Sequence, residues 1–386
     1  MQDMDFVQRD ECALTGERDL EFILKIENFP VSMYTVDKTE SEDLDLKADM
    51  QWWISTGTGS IQLAPLIPLD ILYKKGHGSG AIGSTWEHHH AEFSDFISGF
   101  GVNRVLEIGA GHGFLAQHFV KQNPDALYYI VEPNLPSWSH DRVRFYCSMF
   151  DASFTIDHDI DAVVHSHTFE HIYEPRKFLG HVAELIQEGQ WHIFSLPRLE
   201  VMLARGYSNA LNFEHTLYLT EANVDYLMMS SGLEVVCKKY FRADHSVFYA
   251  TRKRPSVVTG AVVPRDYDRN RTTFLRWVEE TKQFVISINE KIAGHKNGKI
   301  YVFGGHIFTQ FLIGFGLNVT AVSGILDNDP AKAGRRLYGT NLLVSPPNQE
   351  LKGNREAVVI LRAGAYNEEI KKGIVGNINP EVIFWE

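Results

Sequence analysis

The stretch VLEIGAGHGFL, residues 105–115, limits what this chain can fold into more than any other. An apolar run, a turn with glycine at Gly109, Gly111 and Gly113, and then apolar residues at helical spacing predict a strand, a tight turn and a helix. Glycine at alternate positions lets backbone N–H groups and a helix N-terminus approach a ligand without interference from Cβ atoms. The same alternation surrounds this unit. A helix is predicted over WEHHHAEFSDFISGFG, then the strand RVLEI, the helix GFLAQHFVKQ, the strands LYYIVEP and DAVVHSH, the helix PRKFLGHVAELI and the strand WHIFSLP. Such alternation implies an α/β fold with a parallel sheet covered on both faces.

Two acidic residues decide which ligand the turn suits. Glu107 stands two residues before Gly109 on the expected pocket side, where a carboxylate repels a pyrophosphate and attracts an ammonium or sulfonium group. Glu132 closes the next strand in YYIVEPN, the place of a carboxylate that takes both hydroxyls of a ribose. Together they point to S-adenosyl-L-methionine. An NAD-dependent oxidoreductase is the competing reading from another class, with a catalytically silent scaffold as a third. For the oxidoreductase, VFGGHIFTQFL offers Gly304 and Gly305 side by side rather than in Gly-x-Gly spacing, with Asp327 at a strand end and no residue suited to hydride transfer.

At 386 residues the chain is long enough for two or three domains. Residues 1–85 read as a small N-terminal α+β unit on the substrate side, 86–255 as the cofactor-binding unit, and 256–386 as a linker helix followed by a second, smaller α/β unit. Within the linker, Phe274, Trp277, Val278, Phe284, Val285 and Ile288 form a helical stripe suited to packing between units. A formal charge of −12 argues against a nucleic-acid substrate. Cys12, Cys147 and Cys237 are too few and too scattered for a disulfide framework or a Cys-x-x-Cys zinc site, which fits a cytoplasmic protein. Neither a signal peptide nor an apolar run of membrane-spanning length is present in the sequence. The HSHTFEH segment sets His167 and His171 four apart, but the strand turns to helix between them and no third ligand is evident, so no metal is expected. The histidines of EHHH, residues 87–90, are expected to be mostly solvated.

VLEIGAGHGFL, IVEP and AVVHSHTFEHIYEPRKFL together resemble class I S-adenosylmethionine-dependent methyltransferases, which have a Rossmann-like fold. The resemblance implies cofactor contacts from Glu107, Gly109, Ala110, Gly111, Gly113, Glu132, Pro133 and His167. It also puts Met149, Phe150 and Asp151 at the adenine-contacting loop, although all three equally suit ordinary loop and core positions. The C-terminal stretches, from YVFGGHIFTQFLIGFG to VVILRAGAYNEEIKKGI, are similar to the last domain of the sugar C-methyltransferases, which act on nucleotide-linked 4-keto-deoxysugars. That likeness implies His215 as the catalytic base with Glu214 beside it, in LNFEHTLYLT. Three departures stand out. The paired zinc cysteines of the family's N-terminal domain are missing, Asn212 replaces a tyrosine, and KKGHGSGAIGS replaces an aromatic-rich segment. The expected function is methylation of a sugar, at carbon or at oxygen, in carbohydrate or natural-product biosynthesis. A different small-molecule or glycan acceptor for O-methylation stays open, as does the choice between monomer and homodimer.

Overall fold

The computed structural model describes residues 4–73, 84–254 and 260–386. Nearly all of KKGHGSGAIGS, and the start of the linker after Arg254, lie outside these residues.

A seven-stranded sheet occupies the middle of the chain. Its strands are β1 (Arg104–Ile108), β2 (Leu127–Val131), β3 (Val143–Tyr146), β4 (Ala162–Ser166), β5 (Trp191–Pro197), β6 (Leu233–Phe241) and β7 (Ser246–Lys253). Across the sheet they run in the order β6-β7-β5-β4-β1-β2-β3. The first five are parallel, whereas β7 is antiparallel to both β5 and β6. The sheet is therefore mixed rather than wholly parallel. An antiparallel pair needs only the short turn between Phe241 and Ser246, with no crossover helix to announce it.

Both faces of the sheet are covered. Leu106, Ile108, Val163 and Phe194 pack with Phe178 and Leu179 on one side, while Val105, Ile130, Val164 and Phe248 pack with Phe93, Ile97, Leu115 and Phe119 on the other. From β1 the chain goes outward to β2 and β3, then returns to place β4 on the opposite side of β1. That reversal opens a crevice at the C-terminal ends of β1 and β4, and the glycine turn sits there.

Two further sheets flank this one. An antiparallel sheet joins Leu20–Pro30, Lys47–Ser55 and Ile61–Leu63, and its edge accepts Leu217–Tyr218, so the chain just after His215 is pinned to the N-terminal strands. A five-stranded parallel sheet follows the long helix Tyr267–Gly294. The first half of that helix sets Phe274, Trp277 and Val278 against Trp52, Ile54 and Phe311, and its second half sets Val285, Ile288 and Ile292 against Ile300, Val302 and Leu312. Among the described residues, no helix is long and apolar enough to cross a membrane.

Candidate active site

β1 delivers the chain into the glycine turn, where Gly109, Gly111 and Gly113 have φ of +71°, +52° and +69°. Only glycine adopts this backbone without strain. At Gly113 a Cβ would come within 2.6 Å of the Trp138 ring, whereas at Gly111 it would meet nothing within 4 Å. The turn is thus closed over Gly113 and open at Gly111, as a backbone cradle for a ligand must be. Ala110 supports it by accepting the Gly113 N–H at 2.8 Å. Trp138, which the sequence reading did not single out, donates its indole N–H to the His112 carbonyl at 2.8 Å and roofs the turn.

Glu132 points into this cradle. Its Oε2 accepts the Gly111 N–H at 3.4 Å, and its Oε1 accepts the Asn134 N–H at 2.9 Å. The neighbouring Pro133 carbonyl receives the Cys147 thiol at 3.4 Å, which ties the end of β2 to the end of β3. Glu107 departs from expectation. Instead of facing an open pocket it is buried, 2% exposed, beneath the turn. Burial pushes its carboxyl up to about 8; the Tyr128 hydroxyl opposes this and the Glu132 carboxylate adds to it. Its Oε2 has no hydrogen-bond partner among the described residues. A buried carboxylate oxygen without a partner suits an incoming cation, which would draw the proton off.

The three expected adenine-loop residues part company. Phe150 packs into the core against Phe154, Phe178 and His181. Asp151 is held below the usual carboxylate range by the Ser153 hydroxyl and N–H, which it accepts at 2.6 and 2.8 Å. Met149 is left exposed at 47%.

Past β4 the segment SHTFEH turns sharply, with His167 at φ +50° and its N–H on the Ser195 carbonyl at 2.8 Å. His167 Nε2 meets the Ser246 hydroxyl at 2.8 Å. Its ring lies 4.8 Å from Trp86, 5.1 Å from His89 and 5.9 Å from His245. EHHH is therefore not a solvated run: His89 is fully buried and His90 half-buried. Burial drives His89 and His167 well down and His245 to about 4.

A second group gathers around His215. Asn212 accepts the N–H groups of Glu214 and His215 on one oxygen, each at 2.8 Å, and so shapes the turn that presents them. His215 Nδ1 lies 3.2 Å from the Ala210 carbonyl, which can only accept, so Nδ1 carries a proton. The Glu214 carboxylate lies 3.8 Å from His171 Nδ1, and the His171 and His215 rings are 5.0 Å apart. Glu170, buried, stands 3.9 Å from His171 and 3.6 Å from His167, linking the two histidine groups. Tyr73 meets His171 Nδ1 at 3.4 Å. Its phenol is pushed well up by burial first and then by Glu214, Tyr173, Glu170 and Glu132, so one hydroxyl feels carboxylates of both the glycine-turn side and the His215 side. The charge of His306, from the C-terminal glycine turn, is coupled to this group: burial takes it down to about 4, with Lys332, Glu214, Asp327 and His215 acting on it. Sequence reasoning missed Tyr73, Glu170 and His306 because only the tertiary fold brings them here.

Residues 85–238 match the family model described as a methyltransferase domain. No curated protein sequence matches the chain. Among solved structures, the plantazolicin methyltransferase BpumL in complex with a desmethyl plantazolicin analogue and SAH is 11% identical; the alignment covers 44% of this chain and 84% of that one, with a TM-score of 0.36. An O-methyltransferase family protein from Burkholderia thailandensis is 17% identical, over 45% of this chain and 58% of that one, with a TM-score of 0.36. A SAM-dependent methyltransferase from Aquifex aeolicus is 16% identical, over 42% and 88%, also with a TM-score of 0.36. The domain match makes the chain a methyltransferase with S-adenosyl-L-methionine as its methyl donor.

Proposed function

We propose that this methyltransferase acts on a sugar, carried on a nucleotide, and that His215 is the general base. One observation supports the base: the Ala210 carbonyl, which can only accept, holds a proton on His215 Nδ1 and so assigns proton exchange with the acceptor to Nε2. Glu132, Gly109, Gly111 and Gly113 would hold the ribose and the methionyl part of the donor, with Glu107 beneath as the counter-charge to its cationic portion. Methyl transfer is an in-line displacement at the sulfonium carbon, so these residues align the donor while His215 removes one proton from the acceptor. From an acceptor carbon next to a ketone, that proton leaves to give an enolate, and the carbon then takes the methyl group. From a hydroxyl, the same base leaves an alkoxide that attacks directly. The carboxylate of Glu214 serves His171 in this arrangement, which makes Glu214 a positioning residue for the pair of rings.

The test uses a 4-keto-deoxysugar nucleotide and the donor in deuterated water. His215→Ala should bind the donor normally and lose about 10² to 10⁴ in turnover. Carbon methylation predicts exchange of the proton beside the ketone that depends on His215, and oxygen methylation predicts none. Full turnover in His215→Ala would remove this histidine from the chemistry.

A further inference from the structure

We propose that His89, His167 and His245 form a binding site for one divalent transition-metal ion at the edge of the methyltransferase crevice. The three come from separate elements: the helix Ser84–Ser98, the turn after β4 and the β6–β7 hairpin. One ring nitrogen of each lies within 4.8 Å of those of the other two. Around a zinc ion with Zn–N of about 2.0–2.1 Å, neighbouring nitrogens stand roughly 3.4 Å apart, so rotation of the rings closes the gap.

Several features fit an ion here. Imidazoles ligate in the neutral form. Their orientations are set by hydroxyls: Ser195 Oγ holds His89 Nε2 at 2.9 Å, and Ser246 Oγ meets His167 Nε2 at 2.8 Å and His245 Nδ1 at 2.6 Å. Outer hydrogen bonds of this kind commonly orient metal-binding histidines. His89 Nδ1 is buried and has no hydrogen-bond partner among the described residues, and coordination to an ion would give this nitrogen one. The buried Glu170 carboxylate, 3.6 Å from His167 Nδ1, supplies negative charge near a dication. The Trp86 ring lies 5.3, 4.8 and 5.0 Å from the three imidazoles and covers them.

The donor set narrows the ion. Three imidazole nitrogens and no thiolate suit zinc, cobalt, nickel or copper in the divalent state and disfavour calcium or magnesium. Three protein ligands also leave a coordination position for water or an acceptor oxygen. The sequence reading missed the site because it sought a third ligand near His167 and His171, whereas the partners are about 80 residues away on either side. This inference stands on the histidine cluster alone and does not depend on the sugar reading.

Untagged full-length protein, stripped with a chelator, is titrated with cobalt(II) and, separately, zinc(II). The wild type should develop visible d–d absorption that saturates near one equivalent, and zinc(II) should raise its Tm. Both responses should vanish in His245→Gln and in His89→Gln and persist in His171→Gln. Circular dichroism identifies any variant that fails to fold, in which case the other histidine variant decides. A wild type that gives neither response overturns the proposal. So does a response that survives in His245→Gln and His89→Gln but disappears in His171→Gln, since the ion would then sit on Glu170, His171 and His215, the other group among the described residues close enough for one.

Discussion

Glu107 is a buried acid whose charge state should control donor affinity. With its carboxyl near 8 in the ligand-free protein, it is mostly protonated at neutral pH, and a cationic donor favours the carboxylate. Binding should then release a proton, so Kd should fall as pH rises toward about 8 and level off above it. Calorimetry across that range should show the slope in the wild type and a flatter profile in Glu107→Gln. Equal slopes in both proteins would assign the dependence to the donor's own amine. Asn212 makes a different kind of prediction. Its side chain holds two backbone N–H groups of the Glu214–His215 turn, and each such bond contributes about 0.5–1.5 kcal/mol. Asn212→Ala should therefore lower kcat by roughly tenfold, about 1.4 kcal/mol, with donor Kd unchanged. Asn212→Asp keeps the acceptor oxygen and should retain most of the activity. The tyrosine that resemblance leads one to expect at this position would not supply those two bonds, which gives a physical content to the replacement.

β4 and β5 carry a buried pair, His165 and His192, joined at 2.9 Å through their Nε2 atoms, with His192 Nδ1 at 3.2 Å from the Thr251 hydroxyl. Burial lowers His192 to about 3, against about 6.5 in an unfolded chain. Above pH 6.5 neither state is protonated there and the residue adds no pH dependence. As pH falls from about 6.5 toward 3, the unfolded chain takes a proton that the folded one refuses, and stability drops by up to about 1.4 kcal/mol per pH unit from this residue. Denaturant midpoints should fall over that window, and less steeply in His192→Gln; identical slopes would locate the acid sensitivity elsewhere. The same strands show what the sequence made legible. β1, β2, β4 and β5 and their helices follow from local patterns, because each strand is an apolar run bounded by a turn, whereas β3, the short edge strand VRFY, has an exposed arginine and no such run and was not foreseen. The β6–β7 hairpin does not announce itself, since LEVVCKKYF lies at the sheet edge with Val236 and Tyr240 about half exposed and no crossover helix beside it. The glycine turn and Glu132 were legible for the same local reason. Glu214 and His215 were singled out only through resemblance, and the gathering of His89, His167 and His245 was not legible, because it depends on how three distant elements pack.

At the scale of the whole molecule, the N-terminal strands and the C-terminal sheet are clasped to each other. Thr35–Val36 pairs with Arg336–Leu337, and Gln310 donates to the Ser32 and Tyr338 carbonyls at 2.8 and 2.9 Å. At the centre, Arg336 makes a two-pronged pair with Asp45, at 2.5 and 3.0 Å, and also bonds the Glu40 and Ser41 carbonyls; the two side chains are 2% and 4% exposed. Removing one member of a buried pair leaves a desolvated charge, at a cost of about 3–5 kcal/mol. Asp45→Ala should lose that much in denaturant unfolding. Asp45→Leu combined with Arg336→Met should recover only part of it, because the backbone carbonyls that Arg336 served would still lack donors. The clasp also has a functional reach. It holds the sheet that carries His306, whose charge Glu214 and His215 influence, while the contact of Glu132 with the glycine turn is made between the ends of β1 and β2. Loosening it should disturb the acceptor side and spare the donor side. Asp45→Ala, assayed below its unfolding range, should raise KM for the acceptor with little change in Kd for S-adenosyl-L-methionine. An equal loss on both sides would mean that the clasp supports the fold as a whole and not the acceptor side in particular.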